Sequence, residues 1–408
     1  MLIDFQKREL MQNSIYYFTL LFAFISPLSR AGIVFTSVIL ILLWLFEKEW
    51  AEKWNRLKSC KVFQAFSIFI IYNFISLIWT DEIYESFKYI LKYWYLITAF
   101  VIFTSFPKEK SGDILKFFIF GMLVSEIISY GIFFEFWTTK HGTIQDPTPF
   151  MNHLDYSIFL AFTSILFLIK FLYSDEVRDK LLYSLFFITV SSNLFITGGR
   201  SGQLAFFLTI GILYFIFFHK NIIKTFFASI STIVIALILP MLLSDTFQNR
   251  IQALFTDVQL QTQNDYNSST GMRLGTWEVA LDILKENPIL GVGNQDNITE
   301  LQIITNEKYY LKPLNWFPHF HNQYLDIISA LGLLGLLIFL SLFWNIVKLK
   351  QTSEIYFIQI SFISIFLVGF IAEPFLHKQF TMALFSIILG YILINKNSDN
   401  IRKNNLEK

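Results

Sequence analysis

The sequence predicts an all-α, polytopic membrane protein with about twelve transmembrane helices and one large external loop. Three observations lead to this fold class. Of the 408 residues, 54% are hydrophobic and 15% are charged, whereas soluble domains carry about a quarter charged residues. Apolar stretches close to the ~20 residues that a bilayer core requires recur along the chain. Basic residues are concentrated in every second connecting segment.

The apolar stretches fall into two blocks. Residues 1–243 are predicted to form the first nine transmembrane helices, and residues 323–408 the last three with a cytoplasmic tail. Residues 244–322 form the large loop between them. No small-residue cleavage site follows the first stretch, so an uncleaved anchor is expected. The predicted helical cores are 14–29, 31–46, 62–79, 88–105, 114–137, 156–173, 181–197, 201–219, 222–243, 323–347, 354–372 and 377–394.

The distribution of basic residues predicts the orientation. If the N-terminus is cytoplasmic, lysines and arginines cluster in the cytoplasmic segments, loop after loop, as the positive-inside rule describes. Both termini are then cytoplasmic, and the loop 244–322 is external. The short external segments hold few basic residues, namely Arg30, Lys88, Lys140, Arg200 and Lys378.

The charge balance and the cysteine content exclude several classes of function. A net charge of +1 provides no basic field for nucleic acid, so no nucleic-acid partner is expected. The chain contains one cysteine, Cys60, which excludes an intramolecular disulfide and a cysteine-based metal cluster.

The large loop contains a polar segment followed by a predicted helix. The stretch "QLQTQNDYNSST" at 259–270 is expected to be mobile, and "GMRLGTWEVALDILKENPILGVG" at 271–293 has helical periodicity that ends at Asn287-Pro288 and Gly291. Its apolar face suits a helix that lies on the membrane surface or caps the bundle. The residues predicted for that face are Leu274, Trp277, Ala280, Leu281 and Leu284.

Two arginines on the external side are candidate binding residues. Arg200 in "TGGRSGQ" opens the eighth predicted span, where a charge usually has a partner, and the flanking glycines would let a ligand approach the backbone. Arg273 lies near the start of the loop helix, whose first N–H groups can also bind an anion. The alternatives are a snorkelling interfacial arginine at 200 and a solvated surface arginine at 273.

His319 and His321 precede the tenth span in "HFHNQYLDIISALGLLG" and share a face if that segment is extended. A histidine with a pKa near ~6.5 can act as a general base, and an interfacial histidine without a role is the alternative. No metal or other cofactor is expected, because the pair lacks an HExxH pattern and a nearby third ligand beyond Asp326. Gly332 and Gly335 are expected to let another helix pack closely.

Few ionisable residues lie within or directly beside the predicted spans. Among them Glu126 is the most central, and an intramembrane acid is a functional candidate by default. A packed polar residue bonded to a neighbouring helix is the alternative. The others are Lys92, Lys116, Glu135 and Glu373.

Together these motifs resemble those of the O-antigen ligase and polymerase superfamily of bacterial envelope glycosyltransferases. The resemblance has three parts: a histidine and a polar residue before Gly-x-x-Gly, an Arg-x-x-x-Trp…Pro-x-x-Gly-x-Gly loop segment, and an arginine at a span mouth, here Arg200. Motif-level similarity covers roughly 196–335, and the first half of the chain matches in hydropathy. The other matching positions are Arg273, Trp277, Pro288, Gly291, Gly293, His321, Asn322, Gly332 and Gly335.

The resemblance implies a GT-C-like fold and a metal-independent, inverting transfer on the periplasmic face of the inner membrane. The donor would be a glycan on undecaprenyl pyrophosphate, with Arg200 and Arg273 holding the pyrophosphate through forked hydrogen bonds. His321 would deprotonate or orient the acceptor hydroxyl, with Asn322 and His319 as auxiliary contacts. Membrane lipids surround the protein.

The chain length and the single large loop favour a ligase that uses lipid A–core as the acceptor. An O-antigen polymerase and a protein O-oligosaccharyltransferase of the same superfamily are the alternatives. A transporter or flippase belongs to a different class and is disfavoured, because the sequence has no two-half symmetry with broken helices in matching places.

Overall fold

The computed structural model describes residues 2–47, 49–139, 142–243, 269–308, 311 and 314–397. Over these residues the chain forms α-helices, short 3-10 turns and irregular links, without a strand, which confirms the all-α class. The α-helices are α1 (Leu2–Ile25), α2 (Arg30–Phe46), α3 (Trp50–Lys58), α4 (Lys61–Ser76), α5 (Ile83–Leu91), α6 (Ile97–Ser105), α7 (Gly112–Phe133), α8 (His153–Tyr173), α9 (Val177–Ile196), α10 (Arg200–Phe217), α11 (Ile222–Leu243), α12 (Ser269–Glu286), α13 (Asp296–Glu307), α14 (Gln323–Val347), α15 (Ser353–Gly369) and α16 (Gln379–Ile394).

Length and composition identify four helical segments in the described part as able to cross a membrane: Lys108–Phe133, His153–Tyr173, Arg200–Phe217 and Gln323–Val347. The pair α2 and α3, bent by 114°, would provide a fifth span. Other apolar helices are shorter. Helices α4 and α16 have 16 residues each, or ~24 Å, against a hydrocarbon core of ~30 Å. The chain is therefore an integral membrane protein, and a total of about twelve spans stays a prediction.

The predicted helical cores coincide with observed helices, except for a break within 88–105 and one within 323–347. The core 323–347 has the bounds of α14, and 222–243 has those of α11. The predicted core 88–105 is broken, since α5 ends at Leu91 and a 3-10 turn (Lys92–Leu96) precedes α6. Apart from Lys92 the turn consists of aromatic and apolar residues, so hydropathy did not predict the change in geometry.

Two helices form the centre of the bundle. Every residue from Asp155 to Ile169 in α8 is buried, and so is every residue from Phe380 to Ile394 in α16. Helices α9 and α10 pack on α8, α6 packs on α16, and α4 packs on α14. Peripheral helices instead expose large apolar side chains, such as Ile222 and Phe227 of α11, as expected for a surface in contact with lipid.

Helix α14 is broken at Gly332, whose φ of 67° and ψ of −173° are not helical. The segment after α12 pairs with this break, where the N–H of Gly293 donates to the carbonyl of Ala330 at 2.8 Å and that of Leu333 donates to Pro288 at 2.9 Å. The hydroxyl of Tyr72 donates to the carbonyl of Leu331 at 3.1 Å. The expectation that a helix packs closely is wrong for Gly332, because the turn after α12 occupies that position, whereas at Gly335 a Cβ would lie 3.2 Å from Tyr72 of α4.

The predicted loop helix is confirmed as α12, but its buried face differs from the predicted one. Leu274 and Leu281 are 39% and 48% exposed, whereas Val279 and Ile283 are buried and pack with residues of α13. Helix α12 also packs on α14. The buried side of α12 therefore packs against protein, and two of the leucines predicted for that side are exposed. Of the segment 259–270, residues 259–268 lie outside the described residues.

Candidate functional site

Glu373 is the centre of a polar cluster in the link between α15 and α16. Its side chain is 0% exposed, and Oε1 forms a 2.7 Å hydrogen bond with Nδ1 of His321. Nζ of Lys378 lies 2.9 Å from Oε2, Nη2 of Arg273 lies 3.8 Å from Oε1, and Nε2 of His319 lies 4.0 Å from Oε2. One carboxylate thus gathers four side chains from three parts of the sequence.

Gln323 holds the two chain segments of this cluster together. Its backbone N–H donates to the carbonyl of Phe370 at 2.8 Å, and its side-chain Oε1 accepts from the N–H of Leu376 at 3.0 Å. Gln323, the first residue of α14, is therefore bonded to the chain before and after Glu373. These bonds place His321, two positions before Gln323, against the Glu373 carboxylate. Gln323 is 0% exposed, so water does not compete for these bonds.

The backbone at His321 turns sharply before α14 begins. His321 has a φ of 50°, and its N–H donates to Nδ1 of His319 at 3.1 Å. The two imidazole rings lie 4.3 Å apart at 75° as a result, so they meet through a turn and not through an extended segment. Such strained backbone conformations are concentrated at functional sites.

Asn322 caps α14. Its side-chain oxygen accepts hydrogen bonds from the N–H groups of Tyr324 and Leu325, at 2.9 and 3.2 Å. An asparagine at this position satisfies backbone donors that have no partner within the helix. The observed contacts of Asn322 thus orient the start of the helix that carries His321.

The charges around Glu373 determine its protonation. Burial alone raises the pKa of its carboxyl, but the hydrogen bond from His321 and the charges of Lys378, His321 and His319 outweigh burial and lower the pKa to about 2. Burial lowers the pKa of His319 to about 4, helped by the charges of His321, Lys378 and Arg273 and opposed by Glu373. The site thus holds a carboxylate beside a neutral His319 at neutral pH.

Arg273 is largely enclosed, with its side chain 21% exposed, so it is not the solvated surface arginine that was one alternative. Burial lowers its pKa, the charge of Glu373 opposes this, and the positive charge of Arg200 adds to the decrease. The two predicted arginines therefore lie within electrostatic range of each other. Arg200 is partly buried at the start of α10.

The glycines beside Arg200 serve helix packing. A Cβ on Gly199 or Gly202 would overlap Ser157 of α8, and the N–H of Gly202 donates to the Ser157 hydroxyl at 3.1 Å. The expectation that these two glycines leave room for a ligand is wrong, because α8 already occupies the space. The close packing instead determines where the start of α10 lies.

His319, His321 and Glu373 could in principle hold a metal ion, since one ligand atom of each lies within 4.8 Å of the others. The premise that no third ligand lies near the pair is wrong, because Glu373 comes from a distant part of the sequence. However, Lys378 and Arg273 already place positive charge on this carboxylate, and they would repel a divalent cation. Asp326 is engaged elsewhere, accepting from the N–H of Phe320 at 2.9 Å.

The sequence alone did not single out Glu373, Lys378 and Asp155 as partners. Nζ of Lys378 lies 3.7 Å from Oδ1 of the buried Asp155, which extends the cluster to α8. Two signals were available: an acid between two apolar stretches, and a lysine on the side where the positive-inside rule disfavours one. Glu126 is not among the described groups that contact Glu373. It is 4% exposed in α7, and one of its oxygens, Oε1, has no hydrogen-bond partner in the described part.

The arrangement can perform base chemistry beside fixed cations. With Nδ1 of His321 bonded to Glu373, the opposite ring nitrogen, Nε2, is bonded to no described residue. A carboxylate in this position orients the imidazole and stabilises it when it takes up a proton. Arg273 adds a guanidinium to the same carboxylate, and guanidinium groups favour phosphate.

Comparison with known proteins supports the family resemblance that the sequence motifs indicate. Residues 185–340 match the family described as O-antigen ligase. The chain is 28% identical over 270 residues to an uncharacterized protein of Haemophilus influenzae, covering 61% of this chain and 66% of that protein. It is also 28% identical over 298 residues to a "Putative polysaccharide ligase" of Rickettsia conorii, covering 71% of this chain and 67% of that protein. The alignments thus span about two thirds of each relative.

Proposed function

We propose that this chain, whose residues 185–340 match the O-antigen ligase family, transfers a glycan from undecaprenyl pyrophosphate to lipid A–core on the periplasmic face of the inner membrane. The match indicates a glycan-transferring membrane enzyme that acts on polysaccharide. The donor, the acceptor, the membrane and the orientation are the specific parts of the proposal.

His321 is the proposed general base. Its Nε2 accepts the proton of the acceptor hydroxyl while the hydroxyl oxygen attacks the anomeric carbon of the donor glycan. The bond from that carbon to the phosphate oxygen breaks, and undecaprenyl pyrophosphate leaves with the electron pair, so the configuration inverts. Glu373 accepts the hydrogen bond from Nδ1 of His321 and stabilises the imidazolium that forms.

Arg200 and Arg273 are the proposed pyrophosphate ligands. A guanidinium group can pair with two phosphate oxygens at once. The positive charge of Arg200 contributes to the lowered pKa of Arg273, and an anion bound near both side chains would offset that effect. His319 is proposed as an auxiliary contact, and Asn322 acts through its cap on α14.

One observation carries the proposal: the 2.7 Å hydrogen bond between His321 and Glu373 lies beside the Arg273 guanidinium, which is 3.8 Å from the same carboxylate. A base for the acceptor and a cation for the leaving group are the two functions that this displacement requires.

The proposed orientation follows from the charges at the two ends of the bundle. The end opposite Glu373 holds Lys53, Lys170, Lys348 and Lys396. The positive-inside rule supports a cytoplasmic location for that end and for both termini, with 244–322 on the periplasmic side. The division into 1–243, 244–322 and 323–408 is part of the same proposal.

The test is the lipopolysaccharide profile of a deletion strain that is complemented with the wild type, His321→Ala or Glu354→Gln. Glu354 pairs with Lys170 at 2.6 Å at the opposite end of the bundle and serves as the matched control. We expect long-chain lipopolysaccharide with the wild type and the control. With His321→Ala we expect free core and accumulated undecaprenyl-linked polymer at an unchanged protein level.

Three results would contradict the proposal. Core bearing one repeat unit in the deletion strain would indicate a polymerase. A normal ladder would indicate protein glycosylation or transport. Normal attachment with His321→Ala would exclude this histidine as the base.

A further inference from the structure

Trp316 is an exposed aromatic side chain close to the proposed base. It is 67% exposed, and its ring stacks on that of Phe317, with the centroids 4.2 Å apart and the planes at 22°. The Phe317 ring in turn contacts His321 edge-to-face, with the centroids 5.0 Å apart. The three rings therefore form a continuous path from the surface to the imidazole.

The support beneath Trp316 is firmly packed. Phe317 is 5% exposed and belongs to the small core formed by α12, α13 and the segment before α14. Its N–H donates to the carbonyl of Leu314 at 3.1 Å. One face of the Trp316 indole thus rests on a buried ring, and most of the side chain remains available to a partner.

Two amide side chains are hydrogen-bonded to each other near Trp316 in the chain, since Asn315 directly precedes it. Nδ2 of Asn315, which is half-buried, donates to Oδ1 of the exposed Asn306 at 3.3 Å. A sugar ring has an apolar C–H face and a rim of hydroxyl groups, so an aromatic surface beside amides matches both features. A lipid tail or an apolar peptide would have no use for the amides.

We propose that Trp316 is the stacking surface for a sugar ring of the acceptor glycan. The inference rests on the proposed function and adds a residue that determines acceptor affinity. The acceptor is favoured over the donor because Trp316 reaches the cluster through Phe317 and His321, the group that receives the acceptor proton. The proposed donor ligand Arg273 instead contacts Glu373.

An aromatic side chain at a membrane interface can also act as an anchor, and the choice of substitution separates the two roles. Trp316→Leu retains apolar bulk for anchoring but loses the flat ring. Trp316→Phe retains a smaller ring and is expected to restore most of the stacking. The matched control is Trp344→Leu, since Trp344 is 60% exposed near the other end of α14.

The experiment uses the full-length protein in lipid nanodiscs, with undecaprenyl-pyrophosphate-linked glycan and lipid A–core as substrates. We expect Trp316→Leu to raise the acceptor KM by about threefold to tenfold, the range for one aromatic stacking contact, without changing kcat or the donor KM. Trp316→Phe and Trp344→Leu should remain close to the wild type. An acceptor KM unchanged by Trp316→Leu, or a defect confined to kcat, would overturn the stacking role.

Direct binding separates failure of this inference from failure of the proposed function. Saturation-transfer NMR would use the delipidated core oligosaccharide of the host lipopolysaccharide, and the signal should weaken with Trp316→Leu but not with Trp344→Leu. Wild-type protein that binds this oligosaccharide through Trp316 yet transfers no glycan would overturn the proposed function and leave the binding site standing. Active wild-type protein whose binding does not depend on Trp316 would overturn the inference alone.

Discussion

Nδ1 of His321 lies 2.7 Å from Oε1 of Glu373, 52 residues further along the chain. The carboxylate is buried, and its second oxygen lies 2.9 Å from Nζ of Lys378. This pairing distinguishes His321 from an interfacial histidine without a partner. The carboxylate would orient the imidazole in its proposed role as general base.

Replacement of Glu373 should abolish most of the activity without unfolding the protein. Glu373→Gln retains the size of the side chain but removes the charge that stabilises protonated His321, so we expect kcat to fall roughly 10²–10⁴-fold. Glycan transfer by purified protein measures the effect, with Glu354→Gln as the control. Near wild-type turnover by Glu373→Gln would show that the carboxylate has no part in the reaction.

The two proposed pyrophosphate ligands should not tolerate lysine. Arg273→Lys and Arg200→Lys each keep one positive charge and lose the forked pair of donors, so we expect the donor KM to rise on the order of tenfold. Arg178→Lys at the exposed start of α9 serves as the control. A donor KM that neither substitution changes would remove both arginines from the donor site.

The stability of the fold should decrease in weak acid because of His319. The pKa of His319 is about 4 in the folded protein against 6.5 ordinarily, since burial disfavours its charged form. Between pH 4 and 6.5, His319 is protonated in the unfolded chain but not in the folded protein. The contribution of neutral His319 to the free energy of unfolding is therefore fully present above pH 6.5 and is lost as the pH falls towards 4. The full shift corresponds to on the order of 3 kcal/mol.

Thermal unfolding midpoints in detergent, at about pH 7.5 and about pH 5, test this assignment. We expect His319→Gln to have a smaller decrease in midpoint than the wild type, and exposed His219→Gln to keep the wild-type decrease. Equal decreases in the unfolding midpoint of all three proteins would show that residues other than His319 cause the acid sensitivity.

Gly332 should be irreplaceable, because it has a φ of 67° and a Cβ there would overlap the carbonyl oxygen of Ile289. We expect Gly332→Ala to lower the free energy of unfolding by at least about 2 kcal/mol. A Cβ on Gly211 in α10 meets nothing within 4 Å, so Gly211→Ala should be neutral or slightly stabilising. Unfolding midpoints compare the two, and similar stability would mean that the break in α14 can adapt.

Much of the helical architecture was predictable from hydropathy and breakers. The bounds of α14 and α11 and the existence of α12 follow from apolar runs and helical periodicity. The buried side of α12 did not follow, because its sequence is apolar on more than one side. Val279 and Ile283 pack inward, while Leu274 and Leu281 are exposed. Tertiary packing chose between two faces that the sequence left nearly equal.

Within the candidate site, local motifs identified His321 and Arg273, and the folded chain shows what they contact. Glu373 and Lys378 belong to a different sequence segment with no pattern that connects it to the histidines. Their contact depends on Gln323, whose hydrogen bonds to Phe370 and Leu376 join the two segments. Long-range pairing of this kind is not encoded in spacing.

The sequence by itself determined that this is a helical membrane protein. It also predicted the orientation from the distribution of basic residues, and it contains motifs that resemble those of a known family. These properties depend on composition, periodicity and short spacings, and they can be recognised locally. Only the tertiary structure decided that Glu373 orients His321, that α8 fills the space beside Gly199, and that a loop segment enters the break at Gly332. Each of these is a contact between residues far apart in the chain, and burial makes such contacts energetically decisive because unsatisfied polar groups are costly there.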